Sequence, residues 1–437
     1  MKILLVSPPP LGLRSLNRAP ASVHLLVLYS CLRRAGVEVS VFDAVAELGL
    51  ADDNQEIYLD RLRAALTRFA PDVVGVSCWT SFQYQGAMEL GRMARRLYPD
   101  ATLVVGGYHP TSVPEDFTGP DSPFDVVVRG PGEQPLLELC RHPRRSSPPV
   151  VLAGTPVPLA ETPLDWTFPY PCHGLVLSRG CPFDCVFCIE HAGKVDCYPL
   201  EQALAEYGEA ARRSDDGFVH IFDACFGVDK RWRRALLGEL VSRRMSARPH
   251  LEVRLDLLDE GDIELLGKAG AHVMFGVESG STTMLRLMRK TRSPERYLAR
   301  CREVLAACDR HGVDYTASLL YNHPGETTHT LNESIDFFWD LVWNGPSQRL
   351  QSLQTHRFCF LPGLPLAAML PDLAAHYGTR IHHPTWWREP GDHRLLSEAV
   401  TASTELPIEQ ATAMANRFAV LQLMLSKQRG ETPGSSR

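Results

Sequence analysis

Along the first third of the chain, short apolar runs alternate with segments whose apolar positions recur every three to four residues. Lys2–Val6 is a compact apolar run read as a strand. His24–Arg34 (HLLVLYSCLRR) has helical periodicity and stops at Gly36, and Val37–Phe42 is the next strand. The alternation continues with a helix over Gln55–Phe69, a strand over Asp72–Ser77, a helix over Tyr84–Leu97, and strands over Thr102–Gly106 and Asp125–Val128. Continuous apolar strands separated by helices imply a parallel sheet covered on both faces. Right-handed crossovers then make this an open, doubly wound Rossmann-like domain, which binds ligands beyond the carboxyl ends of its strands.

Residues 141–171 (RHPRRSSPPVVLAGTPVPLAETPLDWTFPYP) lose this periodicity and are rich in proline, which marks a linker. From Gly174 the alternation resumes. Strands are expected over Leu175–Ser178, Phe218–Phe222, Leu251–Leu255, His272–Gly276, Asp314–Leu320 and Leu350–Phe360. Helices are expected between them over Leu200–Arg213, Arg231–Arg244, Ile263–Ala269, Pro294–His311 and Thr328–Trp343. Six βα units fall short of the eight of a closed barrel, so a partial (β/α)6 barrel of the TIM type is expected. After Leu366 come Pro- and Trp-rich loops and an apolar helix over Ile408–Leu425. The α/β chain thus divides into a Rossmann-like domain (1–145), a Pro-rich linker (146–173), a barrel (174–366) and a short, mostly helical C-terminal extension (367–437) with a disordered tail, ETPGSSR.

The 437 residues are 44% hydrophobic and 22% charged, with a formal net charge of −6. No basic field invites nucleic acid, and no run reaches the ~18 apolar residues of a membrane span. MKILLVSPPP is cut off by proline too early for a signal peptide, so a cytoplasmic location is expected. Twelve cysteines are too sparse for a disulfide scaffold, and most read as small buried apolar residues.

One group of cysteines stands apart. SRGCPFDCVFC places Cys181, Cys185 and Cys188 in a C-x-x-x-C-x-x-C loop directly after a strand, with Pro182 delaying any helix. Three thiolates at this spacing suit zinc if His191 completes a tetrahedron. They equally suit an iron–sulfur cluster in which one iron lacks a protein ligand and is free to bind a small molecule.

The loop, in its context, resembles the signature of radical S-adenosylmethionine (radical SAM) enzymes. That resemblance implies a [4Fe–4S] cluster on Cys181, Cys185 and Cys188, with S-adenosylmethionine chelating the fourth iron and cleaved by one electron to a 5′-deoxyadenosyl radical. Phe187 is the motif's aromatic, implied to lie near the adenine. Asp223 in FVHIFDACF, Arg254 in LEVRLD and Glu278 in GVESG match positions that hold the cosubstrate, and the glycines beside Glu278 would let backbone approach it. Cys225 stands where relatives often carry another polar residue; it reads as a packing thiol or as a donor of hydrogen or an electron to a radical. NHPGET at 322–327 matches G-x-P-G-E-T with Asn322 for the first glycine, and PGLPL at 362–366 matches P-G-T-P-L with Leu364 for threonine.

Residues 1–145 resemble the cobalamin-binding domain that precedes the barrel in one subclass of that superfamily. The resemblance rests on SPPP, VGVSCWTS, VVGGYHPTSVPEDF and VVRGPGE, with Gly106 and Gly107 implied as backbone against which the cofactor lies. The D-x-H-x-x-G motif of a lower axial histidine is absent, since His24 and His109 lack its flanks. Pro131 stands where relatives often have an acidic residue.

The implied activity is radical methylation of an unactivated carbon of a small molecule with cobalamin. The alternative is a cobalamin-independent dehydratase, epimerase or decarboxylase acting on an amino sugar or related intermediate. Either needs a reductase or a flavodoxin- or ferredoxin-type electron donor. Tyr321, His323, His356, Trp386 and Trp387 are pocket candidates at strand ends and in the tail loops.

Overall fold

The computed structural model describes residues 1–9, 23–48, 55–170, 174–190, 193–345 and 347–428. Pro10, Cys172, His191 and the ETPGSSR tail lie outside the described residues. The chain divides into two units, one of residues 1–174 with 361–363 and 385–397, the other of residues 175–360, 364–384 and 398–437.

The first unit is built on strands β1 (Lys2–Ser7), β2 (Glu38–Asp43), β3 (Val73–Ser77), β4 (Thr102–Gly106), β5 (Val126–Arg129) and β6 (Val150–Ala153), in the order β2-β1-β3-β4-β5-β6. Every neighbouring pair is parallel. The helices are α1 (Val23–Arg34), α2 (Gln55–Phe69), α3 (Tyr84–Leu97) and α4 (Glu133–Arg141). Ile3, Leu4, Leu5 and Val6 are at most 1% exposed, so both faces of the central strand are covered, as its unbroken apolar run requires. β2 and β3 both lie beside β1, which makes the carboxyl ends of β1 and β3 the topological switch point.

Strand β6 corrects the sequence reading. Val150–Ala153 lies within the stretch expected as linker, yet it pairs in register with Val126–Arg129. Its side chains alternate between half-buried and exposed, as befits an edge strand, and four residues flanked by prolines give too short a periodic signal to see. Trp386 and Trp387, expected as loop residues of the C-terminal extension, belong to this unit and are 0% and 3% exposed. Trp387 Nε1 donates to Asp116 at 2.6 Å, and Arg388 makes an ion pair with the same carboxylate.

The second unit holds β7 (Gly174–Leu175, its first residue counted with the first unit), β8 (Phe218–Ile221), β9 (Arg248–Val253), β10 (His272–Glu278), β11 (Asp314–Tyr321) and β12 (Leu350–Arg357). They follow chain order across one open six-stranded sheet, the partial barrel the sequence predicts. Between them run α5 (Leu200–Arg213), α6 (Lys230–Ser242), α7 (Glu260–Lys268), α8 (Pro294–His311) and α9 (Thr328–Trp343), and α10 (Ile408–Gln428) follows β12. Asp229 caps α6 by accepting from the backbone of Arg231 and Trp232, and the Asp259–Asp262 capping box starts α7 three residues before the expected Ile263. The single strand expected over Leu175–Ser178 is instead two fragments, because Ser178–Arg179 turns away to pair antiparallel with Asp196–Cys197.

Strand β10 alternates strictly, with Val273, Phe275 and Val277 buried and the residues between them half-buried. On the less buried face His220, His250 and His272 sit directly opposite one another on three adjacent strands. His220 and His250 approach with Nδ1 atoms 2.8 Å apart, His220 is held by Asp216 at 2.9 Å, and His272 bonds Thr316 at 3.0 Å. Burial, reinforced by the neighbouring histidines, pushes His250 down to about 4. His250 is therefore neutral in the fold but protonated in the unfolded chain below about 6.5, so stability is lost as pH falls from 6.5 towards 4. Asp216 opposes that loss; at His272, which burial also lowers, Asp314 opposes and Arg248 adds to the depression. Urea unfolding at pH 7 and pH 5 should show that His250→Asn removes ~1–2 kcal/mol of the wild-type drop, a figure discounted for partial exposure. An equal drop in the variant would reject this account.

Candidate functional site

The cysteine loop is shaped before any cysteine is considered. The Ser178–Arg179 and Asp196–Cys197 fragments close its neck. Gly180, at φ +84°, is required there because a Cβ would stand 2.3 Å from the carbonyl oxygen of Lys194. Inside the loop, Gly193 N donates to Cys181 O at 2.7 Å and Cys188 N to Cys185 O at 3.2 Å. Val186 is fully buried, donates to Met288 O and accepts from Leu366 N, which fixes the loop between two later segments.

Asp223 braces this arrangement. One carboxylate oxygen accepts from Leu177 N at 2.7 Å and Ser178 N at 2.9 Å, and the other accepts from Ser178 Oγ at 2.6 Å. Burial raises Asp223 to about 6 against the pull of these donors. Asp223, expected to hold the cosubstrate, thus takes its hydrogen bonds from the strand that leads into the cysteine loop.

Cys181 and Cys185 are each 8% exposed and Cys188 is half-buried. Cys225, on the turn after β8, donates to Cys181 and holds it below the usual thiol range. Burial raises Cys185 despite nearby Lys290 and Arg254, and raises Cys188 to about 11. Among the described residues no three His, Cys, Asp or Glu side chains close on a single metal-ion position. Zinc would draw three sulfurs to within about 4 Å of one another, given its ~2.3 Å bonds. A four-iron cluster seats each thiolate on its own iron, further apart. Buried thiols flanked by two cations also suit a cluster whose ligands are all anionic, so the residues present fit the cluster.

Glu278 has φ +70° at a bulge in β10, and its carboxylate folds back to Lys290 Nζ at 3.2 Å. Gly276 makes the room: a Cβ there would stand 2.3 Å from Glu278 Oε1. The space at Gly280 is filled by Phe337. These glycines, expected to admit a ligand, admit the protein's own side chains. Lys290 went unnoticed in the sequence because it lies twelve residues from its partner, in MRKT, with no local pattern to mark it.

Phe187 is half-buried and meets His323 edge-on at 6.3 Å; His323 in turn meets Phe358 at 5.2 Å. Asn322 adopts φ +60°, the conformation that glycine would supply, and its N–H donates to Glu326 at 2.5 Å. His323 is completely buried, Tyr321 nearly so, and His356 is exposed, so these pocket candidates do not share one environment.

In the first unit Gly107 has φ +122°, and a Cβ there would stand 2.3 Å from the carbonyl of Cys78. Gly106 has only Val128 near, at 3.6 Å. His109 is buried, bonded to Ser81 at 2.8 Å and to Asp116 at 2.9 Å. His24 bonds Ser77 at 2.8 Å and stacks on Trp79 at 4.3 Å. Both ring nitrogens of His109 are thus committed, while His24 is held through Nε2. Trp79 itself is 38% exposed beyond the end of β3, against Tyr108 at 4.5 Å. His24 covers one face of Trp79 and Tyr108 meets the indole at 67°, so what remains open is an apolar aromatic surface at the end of β3.

Comparison with known proteins agrees with both halves. The B12-binding domain family model matches residues 20–140 and the radical SAM superfamily model residues 175–338. An uncharacterized methyltransferase of Pyrococcus horikoshii is 24% identical over 373 residues, 77% of each chain. An anaerobic magnesium-protoporphyrin IX monomethyl ester cyclase of Rubrivivax gelatinosus is 26% identical over 325 residues, 65% of this chain and 57% of that one. This chain therefore spans less than two thirds of the cyclase. Among solved structures, the radical S-adenosylmethionine methyltransferase TsrM of Kitasatospora setae, with tryptophan and an aza analogue of the cosubstrate bound, superposes with TM-score 0.72. It is 18% identical, over 96% of this chain and 89% of that one.

Proposed function

Because the chain belongs to the radical SAM superfamily and carries a B12-binding domain ahead of its radical SAM domain, we propose that it is a cobalamin-dependent methyltransferase acting on an unactivated carbon of a small molecule. The observation that carries this reading is the presence of both cofactor domains in one chain, the second with a braced loop of three buried or half-buried thiols. When bound, the [4Fe–4S] cluster with S-adenosylmethionine supplies carbon-radical chemistry and cobalamin supplies the methyl group.

The chain's own residues position and shield. Cys181, Cys185 and Cys188 would hold the cluster, Asp223 and Val186 keep their loop in place, and Lys290 and Arg254 offset its negative charge. Phe187 offers an apolar edge beside the loop. The exposed part of Trp79 offers the corrin an apolar aromatic surface at the end of β3. The methyltransferase of similar fold that holds tryptophan supports a small-molecule substrate. A flavodoxin- or ferredoxin-type protein would supply the electron.

The test is anaerobic reconstitution followed by incubation with S-adenosylmethionine and titanium(III) citrate, with and without cobalamin. 5′-Deoxyadenosine should form, and S-adenosylhomocysteine should form only with cobalamin. Stoichiometric corrinoid retention on gel filtration should accompany it. Turnover to 5′-deoxyadenosine with no corrinoid bound and no S-adenosylhomocysteine would overturn the methyltransferase reading in favour of the cobalamin-independent one.

A further inference from the structure

Arg254 closes β9 and corresponds to an arginine that the radical SAM resemblance sends to S-adenosylmethionine. Its guanidinium is committed elsewhere. Nε donates to Asp256 Oδ1 at 3.0 Å and Nη2 to Asp256 Oδ2 at 2.9 Å, so the planar fork that could grip a carboxylate already grips one. Nη2 also donates to the carbonyl of Lys290 at 2.5 Å. Nη1 donates to Cys185 Sγ at 3.5 Å. The flat face lies over Phe183 with the guanidinium carbon 4.0 Å from the ring centroid. Of five N–H groups one remains, on Nη1, too few for a second paired contact. The side chain is only 8% exposed.

We propose that Arg254 acts on the iron–sulfur centre through the sulfur of Cys185, as a positioning residue that sets the centre's reduction potential, and not as the ligand of the cosubstrate's carboxylate. The inference rests on the reading that Cys181, Cys185 and Cys188 hold the cluster. A hydrogen bond to a cluster thiolate from a permanently charged donor stabilises the more negative, reduced state and raises the potential. Phe183 and Asp256 make this possible by fixing the guanidinium plane, so that Nη1 stays on the sulfur when the loop is loaded. Phe183 comes from within the cysteine loop itself, two residues before Cys185, which ties the arginine to the loop by two independent contacts.

The test compares reconstituted wild-type, Arg254→Gln and Arg254→Lys proteins by iron content, redox titration followed by EPR, and equilibrium binding of S-adenosylmethionine. Expected is full iron in all three. At a fixed applied potential Arg254→Gln should show about tenfold less reduced cluster, a shift of ~59 mV for a one-electron couple. Arg254→Lys should lie between, and cosubstrate affinity should change less than about twofold. An unchanged potential with tenfold weaker cosubstrate binding would overturn the proposal.

If Arg254→Gln fails to hold iron, wild-type protein grown with 15N-arginine decides instead. Pulsed EPR of the reduced cluster should show a 15N coupling, and its absence overturns the proposal. A wild-type protein that takes up no iron would overturn the cluster reading itself, and this inference with it.

Discussion

Cys185→Ala protein should fold and melt close to wild type yet emerge from anaerobic reconstitution without its cluster. Wild type should hold about four irons and absorb broadly near ~400 nm, and the variant should do neither. Formation of 5′-deoxyadenosine should fall roughly 10³-fold or more, because the cofactor performs the bond cleavage and no side chain here can replace it. The fold should survive because Val186 and Asp223, not the cysteines, pin the loop. Cys225→Ala is the necessary comparison: Cys225 touches Cys181 but lies on a different turn, and its loss should leave iron content unchanged. Iron at wild-type level in Cys185→Ala, or its loss in Cys225→Ala alone, would reassign the ligands.

The second large effect is on stability. Gly107→Ala combines a left-handed backbone with a Cβ 2.3 Å from the Cys78 carbonyl, and that carbonyl belongs to the chain leaving β3. Strain at such a position costs about 1–3 kcal/mol and forced overpacking adds a similar amount, so a loss of about 2–5 kcal/mol is expected in urea unfolding. Gly106→Ala, whose Cβ would meet only Val128 at 3.6 Å, should cost less than about 1 kcal/mol. If instead Gly107→Ala melts like wild type and loses only corrinoid affinity, the glycine serves the ligand and not the fold.

The two sheets were legible because buried parallel strands are short continuous apolar runs, such as Lys2–Val6 and Val73–Ser77, set between segments of helical period. β6 was not, because its four apolar residues, VVLA, sit among prolines in a stretch with no neighbouring helical period to mark an element. The cysteine loop was legible because covalent spacing is local. The contacts of Asp223, Arg254 and Glu278 within the protein were not, because their partners (Ser178, Cys185 and Lys290) are fixed only by the fold. Gly276 and Gly107 show the same limit: sequence signals that a backbone must be bare, while only coordinates show what comes close to it.

Asp116 accepts from His109, Trp387 and Arg388. Burial drives its carboxyl upward, but the bonds from His109 and Arg388 prevail and hold it below the usual range. Two of its three partners are encoded more than 270 positions later. During synthesis the first sheet can therefore assemble while its buried carboxylate still waits for a counterion, and that wait lasts until nearly the whole second unit has left the ribosome. A gene split between the two sheets would leave Asp116 without two of its three partners in one product and place two tryptophans of the first unit in the other. The boundary that looks clean in the order of strands is not a place where this polypeptide can be cut.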